Sequence, residues 1–357
     1  MGAARQPQLD MVRGTAILLV LLFHFRLPLG SPALDAMLQP VFAVGWIGVD
    51  LFFVLSGFLV GRMILVEAAS RPAFDTGAFL TRRAWRLWPV LWLYCAILVA
   101  LGGSPAWPTV WPVLLHVQNY ADQTPSHLWS LAVEEHFYLG AALLIPAMYR
   151  HGGYRCVERG LLVVMAACLL LRLAGLAVGV PLLHLQWQTQ YRLDAPAFGV
   201  LLASLSLHRP AAFAALGHAR RQWLALALVG TIALAIGGDG AFRHGIGFTI
   251  AYLGAGAFLI ATIGCRVPPA LSWTAGRLAA LGLIAYPVYI CHASIGAVVR
   301  SLISVPWLAF TGAIALSIGV GVMLHILVER PAMRLGRHQS AVSPHLKLLR
   351  NTCSRVP

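Results

Sequence analysis

Arg13 and His24 stand eleven residues apart in one apolar stretch. A guanidinium and an imidazole could there hold an anion at one level and move a proton at another. At roughly 3.6 residues per turn, eleven residues make about three turns, so both side chains share a face about 16 Å apart along the axis. Ionisable groups inside spanning segments are expensive, and they point to function by default. Similar groups recur along the chain. Asp50 follows Gly45-Trp46-Ile47-Gly48-Val49 in an apolar run, and Ser130, Glu134 and Tyr138 recur at helical spacing, with Glu135 and His136 beside them. Arg192 and Asp194 read as an ion pair at a helix end, and Tyr289 and His292 are neighbours on a helix face. Arg83 and Arg86, three apart, form a guanidinium pair suited to phosphate, although snorkelling anchors are the default reading of such arginines.

Depth ties these residues together. Counted from the nearer span end, His24, Asp50, Glu134, Asp194 and His292 fall roughly 5–11 Å below one surface at 1.5 Å per residue. The residue count therefore predicts a His/carboxylate layer near one face and a basic layer of Arg13, Arg83 and Arg86 at the other. Gly45, Gly48, Ser56 and Gly57 read as small packing residues that let helices approach.

The elements that must position these groups are membrane helices. The 357-residue chain is 59% hydrophobic and 11% charged, which excludes a soluble globule. Apolar runs predict ten spans at roughly 12–27, 43–66, 79–102, 127–149, 159–180, 191–207, 221–238, 245–265, 278–299 and 306–329. The first run contains Arg13 and His24 and lacks a small-residue cleavage site, so it is read as a span, not a cleaved leader. The fold class expected is an all-α integral membrane protein with both termini cytoplasmic. The net charge of +14 supports that orientation by its distribution. Arg5, Arg13, the group from Arg62 to Arg86, Arg150, Arg155, Arg159, Arg209, Arg220, Arg221, Arg266, Arg277 and the cluster from Arg330 onward fall on one side. Only Arg26, Arg192, Arg243 and Arg300 fall on the other, and Arg172 lies within a span. That alternation discounts nucleic acid as a partner. Residues 103–126 form a Trp- and Pro-rich outer loop, and 338–357 a short basic tail expected to be disordered, leaving one domain over 1–337. Six scattered cysteines match neither a disulfide framework nor metal-ligand spacing, and no metal is expected.

An ordered set of motifs spans about 13–331. Arg13 precedes His24 by ten intervening residues, Gly48-Val-Asp-Leu-Phe-Phe-Val-Leu-Ser-Gly-Phe-Leu59 follows, then Arg83-x-x-Arg86 with Pro89 and Trp129-Ser-Leu-x-x-Glu134 with Phe137-Tyr138. Arg192-x-Asp194 with Gly199, Tyr286-x-x-Tyr289-x-x-His292 and Glu329-Arg330-Pro331 complete it. The set resembles the membrane-bound acyltransferase 3 family. Ala285 and Cys291 depart from it, standing where the family often has Ser and Trp. The resemblance implies a ten-helix enzyme of the inner (cytoplasmic) membrane. It would move an acyl group, usually acetyl, from cytoplasmic acyl-coenzyme A to a hydroxyl of a carbohydrate or glycoconjugate. Many relatives also carry an extracytoplasmic esterase-like domain, which this chain is expected to lack. Arg13, Arg83 and Arg86 would hold the donor's phosphates, and His24 would act as general base, oriented by Glu134 or Asp50. Tyr138, Arg192, Asp194, Tyr289 and His292 would face the substrates. A glycoconjugate transporter or flippase is the alternative, with the same polar layer lining a path. It is disfavoured by the donor-side arginines and the lack of visible inverted repeats.

Overall fold

The computed structural model describes residues 6–26, 32–71, 73–103, 106–121, 125–238, 240–265 and 267–337. The expectations for Arg5, Arg266 and the tail lie outside the described residues. Among the described residues there is no strand. The chain runs through α1 (Pro7–Phe25), α2 (Pro32–Ala43), α3 (Ile47–Ser70), α4 (Thr76–Gly102), α5 (Trp107–Leu114) and α6 (Trp129–Ala177). It continues through α7 (Leu182–Trp187), α8 (Asp194–His208), α9 (Pro210–His218), α10 (Arg220–Gly237) and α11 (Phe248–Thr262). The last elements are α12 (Ser272–Leu283), α13 (Ala285–Leu302) and α14 (Pro306–Leu324).

Among the described residues, six helices are long and apolar enough to cross a membrane, or up to eight if each of two bent pairs counts as one span. Exposed leucines, valines and isoleucines such as Leu144, Val163, Leu228 and Ile236 cover the outer helices. That surface suits hydrocarbon, and the chain is a multi-pass membrane protein.

Three local features differ from the runs read in the sequence. The fourth and fifth runs are joined in α6, whose helical geometry breaks only at Gly152 and Gly153. Gly153 has φ 65°, a left-handed backbone that glycine adopts without steric penalty. The ninth run is two helices, α12 and α13, meeting at 78°. The bend falls at Ile284, which leaves the helical region (φ −103°, ψ 9°), and not at Pro287. Pro287 sits in the first turn of α13, where a missing N–H removes no intrahelical bond. The Trp/Pro loop, expected to be irregular, contains α5 and two 3₁₀ turns, Gln118–Tyr120 and Ser126–Leu128.

Two glycine-mediated crossings set the centre of the bundle. A Cβ on Gly57 of α3 would lie 2.0 Å from the carbonyl oxygen of Pro196, and one on Gly199 of α8 would lie 2.1 Å from that of Val54. The same reciprocity joins α1 and α12: Gly14 against Leu278 and Gly282 against Asp10, each at 1.9 Å. Only glycine permits such contact, and close backbone packing holds helices together where lipid offers no hydrophobic drive. The packing role read for Gly57 is therefore observed. Both helices carrying the opening chemistry, α1 and α3, are consequently central, with Val12, Ala16, Ile17, Val54, Val60 and Ile64 fully buried.

Candidate active site

Two cavities with ionisable linings open along α1. Arg13, on the second turn, lines a cavity of about 310 Å³ together with Arg83 and Arg86 of α4. Glu134 and Tyr138 of α6, Ser56 of α3 and Glu329 beyond α14 also line it. Arg13 Nη1 donates to Asp10 Oδ1 at 2.7 Å, which ties its guanidinium to a carboxylate one turn back. The Arg83 guanidinium lies over the rings of Phe79 and Tyr138, 5.7 and 5.0 Å from their centroids. Ser56 Oγ donates to Glu134 Oε1 at 2.8 Å, Tyr138 donates to the same oxygen, and Ser56 and Tyr138 lie 2.9 Å apart. Glu329 accepts from His325 Nδ1 at 2.6 Å. Three guanidinium groups around one cavity, two of them a turn apart on α4, can grip an anion of several charges.

His24, on the last turn of α1, lines a second cavity of about 160 Å³ with His127, Trp46, Trp129, Trp187 and Arg192. Its ring packs edge-to-face on His292, centroids 4.7 Å apart, and His292 packs in the same way on His127 at 5.2 Å. The hydrogen bonds assign the tautomers. His24 Nδ1 lies 2.9 Å from the Val20 carbonyl, His292 Nδ1 lies 2.7 Å from the Tyr289 carbonyl, and His127 Nε2 lies 3.0 Å from the Ile290 carbonyl. A carbonyl only accepts, so each of those nitrogens carries the hydrogen. In neutral His24 the lone pair is then on Nε2, the form a general base requires. His292 Nε2 is buried and has no hydrogen-bond partner.

Beside this cavity lie two buried ion pairs. Arg192 donates to Asp50 Oδ1 at 2.8 Å, and Arg172 donates to Asp194 Oδ2 at 2.6 Å, all four side chains being almost wholly enclosed. Arg192 also stands over the Phe248 ring at 3.7 Å, and Arg172 reaches Thr249 Oγ1 and the Tyr191 and Gly245 carbonyls. The Arg192–Asp194 pair expected from adjacency does not form. At the start of α8 each residue meets a different helix, because two positions apart along the chain is not a shared face on a helix.

The single His/carboxylate layer expected from depth is therefore two groups. His24 and His292 come together, as expected, and His127 joins them. Its imidazole was legible in the sequence as a polar group at a span start, but nothing there marked it as a partner. Glu134 faces the arginines instead, and Asp50 is engaged by Arg192, so neither carboxylate orients His24; the Val20 carbonyl does. Ser56, read as a packing residue, is a hydrogen-bonding member of the arginine cavity. Among the described residues no group of three or more His, Cys, Asp or Glu is arranged to hold a metal ion. Cys95, Cys156, Cys168 and Cys291 are free thiols, and Cys353 lies outside the described residues.

A family profile described as an acyltransferase domain, acyltransferase 3, matches residues 6–326. The chain belongs to this family. Apart from Glu329, every residue that lines the two cavities lies within the matched region. Among curated relatives, the peptidoglycan O-acetyltransferase OatA of Listeria monocytogenes is 28% identical over 154 residues, 37% of this chain and 23% of that protein. The O-acetyltransferase OatA of Staphylococcus aureus is 28% identical over 178 residues, 44% of this chain and 28% of that protein. The matches thus span about a quarter of those relatives' length. No solved structure matches the chain significantly.

Proposed function

We propose that this acyltransferase 3 protein is a membrane O-acetyltransferase that moves an acetyl group from acyl-coenzyme A to a hydroxyl of an envelope carbohydrate. The observation that carries the reading is the shared helix: α1 presents Arg13 to one cavity and His24 to the adjoining one. The anionic head of the donor binds Arg13, Arg83 and Arg86, and its pantetheine arm follows α1 over the roughly 16 Å between Arg13 and His24. The acceptor occupies the histidine cavity, where Trp46, Trp129 and Trp187 offer flat apolar faces to a sugar ring and Arg192 offers donors. His24 Nε2 removes the hydroxyl proton as the oxygen attacks the thioester carbonyl. The C–S bond breaks, the thiolate leaves, and the proton passes to it. Asp50 contributes by holding Arg192 in place, and Asp194 by fixing Arg172 behind it. Glu134 and Tyr138 hold Arg83 at the donor side, and His292 braces His24. The likeness to the peptidoglycan O-acetyltransferase of Listeria monocytogenes favours peptidoglycan among envelope glycans.

In this reading the protein has ten spans in the cytoplasmic membrane, with both termini and the arginine cavity on the cytoplasmic side. The 49 residues of α6 would measure about 74 Å as one helix, more than twice the thickness of the hydrocarbon. The break at Gly152 and Gly153 divides it into two spans, and α10 supplies one more. The span domain covers 1–337, followed by the basic segment 338–357.

The test is transfer of labelled acetyl from acetyl-coenzyme A to peptidoglycan fragments by the protein in nanodiscs. His24→Ala should abolish transfer and retain donor binding. Undiminished transfer by the variant would overturn the assignment of the base.

A further inference from the structure

Among the described residues, Val49 of α3 and Tyr289 of α13 alone line both cavities. Tyr289 is held rigidly there. Its hydroxyl donates to the His127 carbonyl at 2.5 Å, and Ser130 Oγ, also at 2.5 Å, is left to donate to the phenol oxygen. The ring packs against Phe52 at 6.4 Å and His292 at 5.6 Å between centroids. His127 thus ties the two sides together, its imidazole lining the histidine cavity and its carbonyl holding the tyrosine.

We propose that Val49 and Tyr289 form a septum that decides whether the acyl group goes to an acceptor hydroxyl or to water. The inference rests on the acyl-transfer reading. In productive transfer the thioester C–S bond breaks, the acceptor oxygen forms the new C–O bond, and the hydroxyl proton ends on the thiol. In the competing reaction water attacks the same carbonyl, giving the free carboxylate, the thiol and one released proton. Both use the same donor and the same base, so the chemistry of His24 cannot choose between them. Access can. A histidine cavity wide enough for a sugar also admits water, and a wall of one aliphatic and one tethered aromatic side chain keeps that water from the thioester until the donor's arm passes the wall to reach His24. An acceptor pressing on the His127 side loosens the tether of the Tyr289 hydroxyl and opens the way for its own oxygen.

The experiment compares wild type with Val49→Ala, Tyr289→Phe and Tyr289→Ala in nanodiscs. Free thiol released from acetyl-coenzyme A is measured without acceptor, and acetylated product is measured with peptidoglycan fragments. Opening the wall should raise the ratio of hydrolysis to transfer by about tenfold or more in Val49→Ala and Tyr289→Ala. Tyr289→Phe, which keeps the ring and loses both hydrogen bonds, should raise it less. Donor binding by Val49→Ala, a conservative change on a different helix, guards against a misfolded Tyr289→Ala. An unchanged ratio in donor-binding Val49→Ala would overturn the septum while leaving acyl transfer standing. A wild-type protein that neither transfers nor releases thiol would overturn the acyl-transfer reading and this inference with it.

Discussion

The arginine cavity and the histidine cavity touch, yet they are built differently. The first gathers guanidinium groups from α1 and α4 around carboxylates from α6 and the end of α14, so charge is concentrated and partly balanced within the cavity itself. The second carries no carboxylate on its surface: Arg192, which lines it, is committed to Asp50, Arg172 is committed to Asp194, and imidazoles, indoles and Arg243 share the wall. A site built to hold an anion needs exposed donors. One built to move a proton needs a fixed lone pair, and backbone carbonyls supply that more firmly than a mobile carboxylate.

Four substitutions would break or sharpen this contrast. Replacing the base, His24→Ala, should lower the transfer rate by roughly 10²–10⁴-fold with donor affinity retained, measured as acetyl transfer and as acetyl-coenzyme A binding. Equal losses in both would erase the distinction between the cavities. Next in size, Asp50→Ala strands a buried guanidinium and should destabilise the fold by about 3–5 kcal/mol, read from unfolding in detergent. A stability change near zero would mean that Arg192 finds other partners. Removing a donor-side charge, Arg86→Gln, should weaken acetyl-coenzyme A binding by about ten- to a hundred-fold, since a charge-assisted hydrogen bond contributes about 1.5–3 kcal/mol. The turnover number should hardly move, and a kcat effect without a KM effect would place Arg86 at the chemistry. The smallest effect belongs to Ser56→Ala, which removes one neutral donor to Glu134 and should cost about 1 kcal/mol, seen as a modest rise in donor KM. A larger fall in transfer than in binding would place Ser56 with the acceptor.

Much of this was legible residue by residue. Polar groups in apolar runs named themselves, because lipid makes each one expensive, and helical spacing put Arg13 and His24 on one face. Helices were located to within several residues where hydropathy was continuous, and one run held a bend that hydropathy did not show, at Ile284. Depth was a poorer guide. It gives height along the membrane normal but says nothing about rotation of each helix about its own axis. Glu134 and His24 were therefore placed in one layer, although they face different cavities.

By itself, the sequence determined that the chain is a helical membrane protein, that it carries the ordered motifs of the acyltransferase 3 family, and which side chains could do its chemistry. Partner choice came only from tertiary structure. Asp50 with Arg192, Asp194 with Arg172, Ser56 with Glu134 and His24 with His292 are all contacts between different helices. The close glycine crossings of α3 with α8 and α1 with α12 set those helices' rotation and separation. Periodicity fixes which residues share a face on one helix, but the face it meets depends on packing across the whole bundle.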